Sequence, residues 1–179
     1  KDGKTHPEWF QLLEGGKRGP KKKDGRFSMC VSNTEFQREI VNRWTAKRPP
    51  DAKTPGFINA CENDILGLCA CENCRALDGP TPADYLTFYP PDSKVAGSRF
   101  VSDRYAKFWL GIQQQAPAGA TVVGYAYFSA PTSGIKLNPS IFIGYCPSAG
   151  WFPRSDEEHA WMKQQWTGWR ATRGSARPR

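Results

Sequence analysis

Histidine and long apolar runs are both scarce in this sequence, and each scarcity excludes a class of function. Only 2 of the 179 residues are histidines, His6 and His159, so a histidine metal site or a Ser-His-Asp hydrolase has little support. No apolar run reaches the roughly 18 residues of a membrane-spanning helix, and no repeat of about 20 to 50 residues indicates a solenoid. The motifs Gly-x-Ser-x-Gly, Gly-x-Gly-x-x-Gly and Walker A are also missing, so nucleotide chemistry has no support either.

The net charge of +8 is concentrated at the two ends of the chain. Residues 1–26 and 170–179 each carry a net charge of +4, whereas residues 27–169 hold equal numbers of acidic and basic side chains. A nucleic-acid-binding domain would normally carry a basic stripe on its folded part, so we expect no specific nucleic-acid partner. The pattern predicts a basic N-terminal segment at 1–26, a folded domain at 27–171 and a basic disordered tail at 172–179.

Short apolar runs alternate with helical patterns through the folded part. The apolar runs predict strands at 27–33, 56–63, 121–128 and 140–147. Helical periodicity and capping residues predict helices over 34–47, from Ser102 to Pro117, and from Ser155 to about Ala171. Strands that are apolar on both faces and alternate with helices indicate an α/β fold, with parallel strands and helices outside. A complete (β/α)8 barrel needs about 250 residues, so the pattern predicts a partial or truncated barrel, or a small open α/β sheet.

Four cysteines fall within fourteen residues, at the end of the second predicted strand and in the loop-rich region after it. They are Cys61, Cys69, Cys71 and Cys74. Structural zinc sites usually pair two Cys-x-x-Cys motifs, and only Cys71 and Cys74 form one. We therefore expect no cofactor, and the four cysteines would then form disulfides or pack as thiols. The alternative is that these four residues bind zinc. The even total of six cysteines is consistent with an oxidising compartment.

Two carboxylates at the end of the second predicted strand are the candidate catalytic residues. Glu62 and Asp64 are two residues apart, so on a strand their side chains would point the same way. In parallel α/β folds, chemistry gathers at the carboxyl ends of strands. A close carboxylate pair can also split its pKa values and thereby provide one acid and one base. The alternative is that Asp64 caps the following loop and Glu62 is solvated.

Aromatic side chains near strand ends and in loops are the candidate sugar-binding residues. Flat aromatic faces suit the apolar faces of sugar rings, although most aromatic residues in any protein belong to the core. The candidates are Trp9, Tyr125, Tyr127, Tyr145 and Trp151.

Two motifs resemble an uncharacterised bacterial domain family, the domain of unknown function DUF4838. One runs from His6-Pro-Glu-Trp-Phe to the segment Met29-Cys-Val-Ser-Asn33, and the other combines Asn63-Asp64 with Cys69, Cys71 and Cys74. The resemblance covers about residues 6–170. It adds His6 and Asn63 to the expected substrate-binding residues.

The resemblance implies a glycoside-hydrolase-like (β/α)8 barrel, distantly similar to α-glucuronidases and hexosaminidases. It also implies a secreted or periplasmic bacterial protein that acts on a polysaccharide. We expect hydrolysis of glycosidic bonds with Asp64 as general acid and Glu62 supporting it or tuning its pKa. The alternatives are a non-catalytic carbohydrate-binding module on a degenerate barrel and a zinc-stabilised binding domain. A half barrel that is the whole protein would expose sheet edges and self-associate into a homo-oligomer.

Overall fold

Three parallel strands and the helices beside them form the centre of the fold. A computed structural model describes residues 2–19, 27–49, 52, 56–61, 68–88, 100–127, 130–132, 134–146 and 155–172. The helices of the described part are α1 (Asp2–Thr5), α2 (Thr34–Ala46), α3 (Glu72–Arg75), α4 (Tyr85–Phe88), α5 (Ser102–Gln115) and α6 (Asp156–Thr172), with a 3-10 turn at Pro7–Trp9. The strands are β1 (Phe57–Asn59), β2 (Thr121–Tyr127) and β3 (Ile141–Cys146).

The sheet has the order β1-β2-β3, and both pairs of neighbouring strands run parallel. In its register, Ile58 lies beside Val122, and Val122 lies beside Ile141. These three side chains are fully buried and point to the same face of the sheet. The prediction of an α/β fold with parallel strands is therefore confirmed.

Helices α5 and α6 cover this buried face. Trp109 of α5 lies so close to β2 that a Cβ atom on Gly124 would be 2.2 Å from its ring, and its indole N–H donates to the carbonyl of Ala60. The Trp109 ring also packs against Trp169 of α6, with ring centroids 6.3 Å apart. At the end of β3, the Tyr145 hydroxyl donates to a backbone carbonyl of α6. Both helices therefore lie on one side of the sheet.

The opposite face of the sheet is open among the described residues. Phe57, Tyr125 and Phe142 are 71%, 44% and 51% exposed, and Val123 lies between Asn59 and Phe142 in the register. Isolated exposed apolar residues are ordinary, but these share one face of a parallel sheet, a structure that is normally covered on both sides. The described residues thus cover the sheet on one side only.

The helix boundaries follow from their capping residues. The side chain of Asn33 accepts a hydrogen bond from the amide of Phe36 and so begins α2, while the Ser155 hydroxyl accepts one from the amide of Glu158 at the start of α6. The predicted helices at 34–47, from Ser102 and from Ser155 are therefore confirmed to within a few residues. None of the helices in the described part combines the length and apolar character that crossing a membrane requires.

The predicted strand at 27–33 is wrong, because its backbone groups bond to the N-terminal segment instead of the sheet. Met29 forms a single antiparallel bridge with Phe10, and the amide of Cys30 donates to the carbonyl of Trp9. The chain then turns at residues 31–32 into α2. Of the predicted strand at 56–63, the structure describes residues 56–61, and of these Phe57–Asn59 pair as a strand. The described part therefore has three parallel strands where four were predicted.

Candidate functional site

Four cysteines from two distant parts of the chain meet in one cluster. They are Cys30, Cys69, Cys71 and Cys74, which we call the four-cysteine cluster. Cys30 lies just before α2, Cys69 and Cys71 lie in the segment before α3, and Cys74 is on α3 itself. Cys30, Cys69 and Cys74 are buried, while Cys71 is partly exposed. The cluster therefore joins the segment before α2 to the segment around α3.

The sulfur atoms have the spacing of a metal site. All four Sγ atoms lie within 4.8 Å of one another, and the Cys30 Sγ is 3.6 Å from that of Cys71 and 3.8 Å from that of Cys74. A tetrahedral ion with metal–sulfur bonds of about 2.3 Å would set its ligands about 3.8 Å apart. Disulfide sulfurs are only about 2.05 Å apart, and none of the six cysteines is in a disulfide. Four cysteines in this arrangement could bind a metal ion such as zinc.

Hydrogen-bond donors surround the sulfurs. The amide of Leu12 donates to the Cys69 Sγ at 3.2 Å, and the amide of Cys74 donates to the Cys71 Sγ at 3.4 Å. The second bond caps α3. The Cys74 thiol itself donates to the Ser32 hydroxyl oxygen at 3.1 Å. Backbone amides thus donate to two of the four sulfurs.

The cluster's electrostatics favour one thiolate even without a metal. Hydrogen bonds from the thiols of Cys69 and Cys74 hold the pKa of Cys30 far below its usual range. Hydrogen bonding to Cys30 raises the pKa of Cys74 and of Cys69 in turn, because these two keep their protons to donate them. Burial by itself lowers the pKa of Arg18, but its interactions with Cys30 and the neighbouring sulfurs raise it above the usual value. A positive guanidinium therefore lies beside the cluster.

A buried ion pair holds the cysteine segment against α5. Arg104 of α5 is 1% exposed and makes two contacts with the carboxylate of Asp78, at 2.7 and 2.6 Å. Its third nitrogen donates to the carbonyl of Cys69 at 2.9 Å. Burial alone would lower the pKa of Arg104, but the Asp78 carboxylate raises it above the usual value. The position of Cys69 is thus fixed from the α5 side.

Cys61 does not belong to the cluster, contrary to the predicted zinc ligand set of Cys61, Cys69, Cys71 and Cys74. It lies at the end of β1, where its thiol donates to the carbonyl of Val123 at 3.6 Å. Cys30 takes its place, although it precedes Cys71 by 41 residues. The sequence prediction favoured nearby cysteines because spacing along the chain gives no information about which distant segment folds back onto a loop.

The proposed catalytic residues Glu62 and Asp64, together with Asn63, lie outside the described residues. Cys61 is the last described residue before them, two positions after β1 ends. The carboxyl ends of β2 and β3, at Tyr127 and Cys146, lie at the same edge of the sheet because all three strands are parallel. The roles of the three residues stay predictions.

The aromatic candidates have different surroundings in the structure. Tyr125 is exposed on the open face and lies over Gly144, where a Cβ atom would be 2.7 Å from its ring. Tyr145 is half-buried against α6, whereas Trp9 is buried with His6 stacked on its ring at 3.9 Å. The Tyr127 side chain and Trp151 lie outside the described part. Of the candidates whose side chains are described, Tyr125 is thus the one that offers an exposed ring.

The fold and the cluster define a class of protein: a parallel α/β domain, helix-covered on one side, with a four-cysteine cluster at its N-terminal segment. The family model for the domain of unknown function DUF4838 matches residues 1–173. The chain therefore belongs to the DUF4838 family. No curated protein and no solved structure matches the chain.

Proposed function

We propose that this chain forms part of a glycoside-hydrolase-type (β/α) barrel that hydrolyses glycosidic bonds in a polysaccharide. The observation that carries the proposal is the one-sided sheet. In an open doubly wound fold, helices cover both faces of the parallel sheet. In a barrel, the helices cover only the outer face of the sheet, and the inner face lines the interior of the barrel. Helices α5 and α6 contact the same face, and Phe57, Tyr125 and Phe142 are exposed on the other.

The strand order supports the same interpretation. Strands of a (β/α)8 barrel follow one another around the barrel in chain order, each hydrogen-bonded to the next. The sheet here has the order β1-β2-β3, with α5 before β2 and α6 after β3. Doubly wound sheets reverse their order at a switch point, and the described strands have no such reversal.

Barrel geometry assigns the chemistry to the edge where the strands end. Asp64 and Glu62 follow β1, and we assign Asp64 as the general acid that protonates the leaving oxygen, with Glu62 tuning its pKa. The exposed ring of Tyr125 would contact sugar from the neighbouring strand. The four-cysteine cluster has no part in this reaction, because an ion with four cysteine ligands lacks the open coordination position that catalytic zinc requires. A zinc ion there would stabilise the domain.

The test is release of reducing sugar from a panel of polysaccharides. We expect the unaltered protein to release reducing sugar. The rate of release should fall about 100-fold or more in Asp64→Asn and should not fall in Glu39→Gln. Glu39 is a matched control because it is an α2 carboxylate paired with Arg43, far from the strand ends in sequence. Full activity of Asp64→Asn would contradict the assigned role, and no release from any polysaccharide would contradict the proposed hydrolysis.

The second candidate is a carbohydrate-binding module without catalysis, which the exposed Tyr125 favours. It predicts retention on insoluble polysaccharide that is lost in Tyr125→Ala, with no sugar release from the same samples.

The resemblance to exported bacterial proteins makes a secreted or periplasmic location part of the same proposal. Fractionation of the native bacterium, with immunodetection of the protein, tests that location.

A further inference from the structure

We propose that Cys30, Cys69, Cys71 and Cys74 hold one zinc ion, which fastens the N-terminal segment to the α/β core. The N-terminal segment here means the described residues from Trp9 to Arg18 and from Phe27 to Asn33. This site is structural, and it does not depend on the proposed reaction.

The first argument is the equivalence of the four sulfurs. If the cluster were a pair of disulfides, each sulfur would have one partner much closer than the others. Instead the Cys30 Sγ has nearly equal distances of 3.6 and 3.8 Å to the sulfurs of Cys71 and Cys74, and all four atoms lie within 4.8 Å. The two distances from Cys30 match the edge of about 3.8 Å that a tetrahedral zinc ion imposes on four thiolates.

The second argument is the charge around the cluster. Zinc with four thiolates carries a net charge of −2, which must be offset because three of the cysteines are buried. The guanidinium of Arg18 donates to the carbonyls of Glu8 and Phe10, in the same segment whose Leu12 amide reaches the Cys69 sulfur. Backbone amides, Leu12 to Cys69 and Cys74 to Cys71, stabilise two of the sulfurs further.

The third argument is the set of contacts that converge on the cluster from both sides. From the N-terminal segment, the Leu12 amide reaches the Cys69 sulfur while the Leu12 carbonyl accepts from the amide of Ala70. From the core, Arg104 binds the Cys69 carbonyl. The N-terminal segment itself has only two isolated bridges, Phe10 to Met29 and Leu12 to Arg18, as its β-pairing among the described residues. A metal bond from Cys30 to the α3 region would therefore add a strong link where the backbone provides few.

Zinc is the ion whose chemistry fits this donor set. Four thiolates and a closed tetrahedral arrangement are typical of structural zinc, whereas magnesium and calcium require oxygen ligands. On binding, the thiols that are still protonated release their protons to solvent, and no electron is transferred.

The first experiment measures metal content by elemental analysis of protein expressed with added zinc. We expect one zinc per chain in the unaltered protein and in Cys61→Ser, but a loss of most of the zinc in Cys30→Ser. Cys61→Ser is the matched control, because Cys61 is a partly buried thiol outside the cluster. The ligand set predicted from the sequence has Cys61 in place of Cys30, and it predicts that Cys61→Ser loses zinc while Cys30→Ser keeps it. Equal zinc content in Cys30→Ser and the unaltered protein would therefore overturn this proposal.

A second measurement keeps the test valid if Cys30→Ser fails to fold. Zinc is released from the unaltered protein by a mercurial thiol reagent and detected with a metal-binding dye, with one zinc per chain expected. Absence of zinc after both expression with zinc and refolding with zinc would overturn the site, as would mass-spectrometric detection of disulfides among the four cysteines. Neither result would bear on sugar release, so this proposal and the proposed function fail separately.

Hydrogen exchange tests the fastening role. After removal of zinc by a chelator under reducing conditions, we expect the amides of Leu12, Cys30 and Ala70 to exchange roughly tenfold faster or more. The amide of Val122, in the sheet, should change little. Equal protection of all these amides with and without zinc would overturn the fastening role even if zinc is present.

Discussion

Removal of the carboxylate of Asp78 by Asp78→Ala should unfold the domain at a markedly lower temperature. Asp78 makes two contacts of 2.7 and 2.6 Å with Arg104, whose side chain is 1% exposed and cannot move into water without unpacking α5. The substitution would leave a buried charge without its counterion. Breaking a buried ion pair in this way costs about 3 to 5 kcal/mol, and we take about 3 because the Asp78 side chain is 23% exposed.

For a domain of this size, a destabilisation of about 3 kcal/mol corresponds to a fall in Tm of about 6 to 12 °C. The matched control is Glu39→Ala, which removes a carboxylate from the exposed i,i+4 pair with Arg43. Such a pair contributes only about 0.3 to 0.5 kcal/mol, so the control should lose about 1 to 2 °C. Calorimetry of both variants with zinc present separates the two values. Equal Tm values for Asp78→Ala and Glu39→Ala would refute the inference that this pair holds the cysteine segment to α5.

Three further predictions concern the sheet and its helices. Gly124→Ala should lower the free energy of unfolding by about 1 to 3 kcal/mol in urea titration, because the added Cβ would lie 2.2 Å from the Trp109 ring. Gly15 has open space around it, so the control Gly15→Ala should change the free energy of unfolding little. Ser155→Ala should cost about 1 kcal/mol in the same titration, since it removes the cap of α6. If the open face mediates self-association, Phe142→Lys should reduce it in sedimentation. A monomeric unaltered protein, or unchanged association in the variant, would contradict that expectation.

The elements that local pattern determines were predictable from the sequence. The helix at Thr34–Ala46 has its cap at Asn33, and the helix at Ser102–Gln115 has apolar residues at helical spacing, so both could be located without tertiary information. The strands at 121–127 and 141–146 are apolar runs whose composition and length are typical of parallel sheets.

The segment 27–33 could not be assigned from pattern alone, because Cys30 and Val31 are buried without being in the sheet. Phe10 and Met29 pair with each other, and a short apolar run has the same appearance whether it pairs with a sheet or packs against another loop. The same limit explains Cys30. Its contact with Cys74 spans 44 residues, and the sequence offers no local signal for such a contact beyond the unmatched Cys-x-x-Cys motif.

Zinc-edge X-ray absorption of the purified protein tests the central claim most directly, namely that the four-cysteine cluster is one closed zinc site. The geometry predicts four sulfur neighbours at about 2.3 Å from zinc and no nitrogen or oxygen in the first shell. The Cys61→Ser variant should give the same spectrum as the unaltered protein, because Cys61 bonds to Val123 outside the cluster. A first shell with fewer than four sulfurs, or a spectrum altered in Cys61→Ser, would contradict the claim.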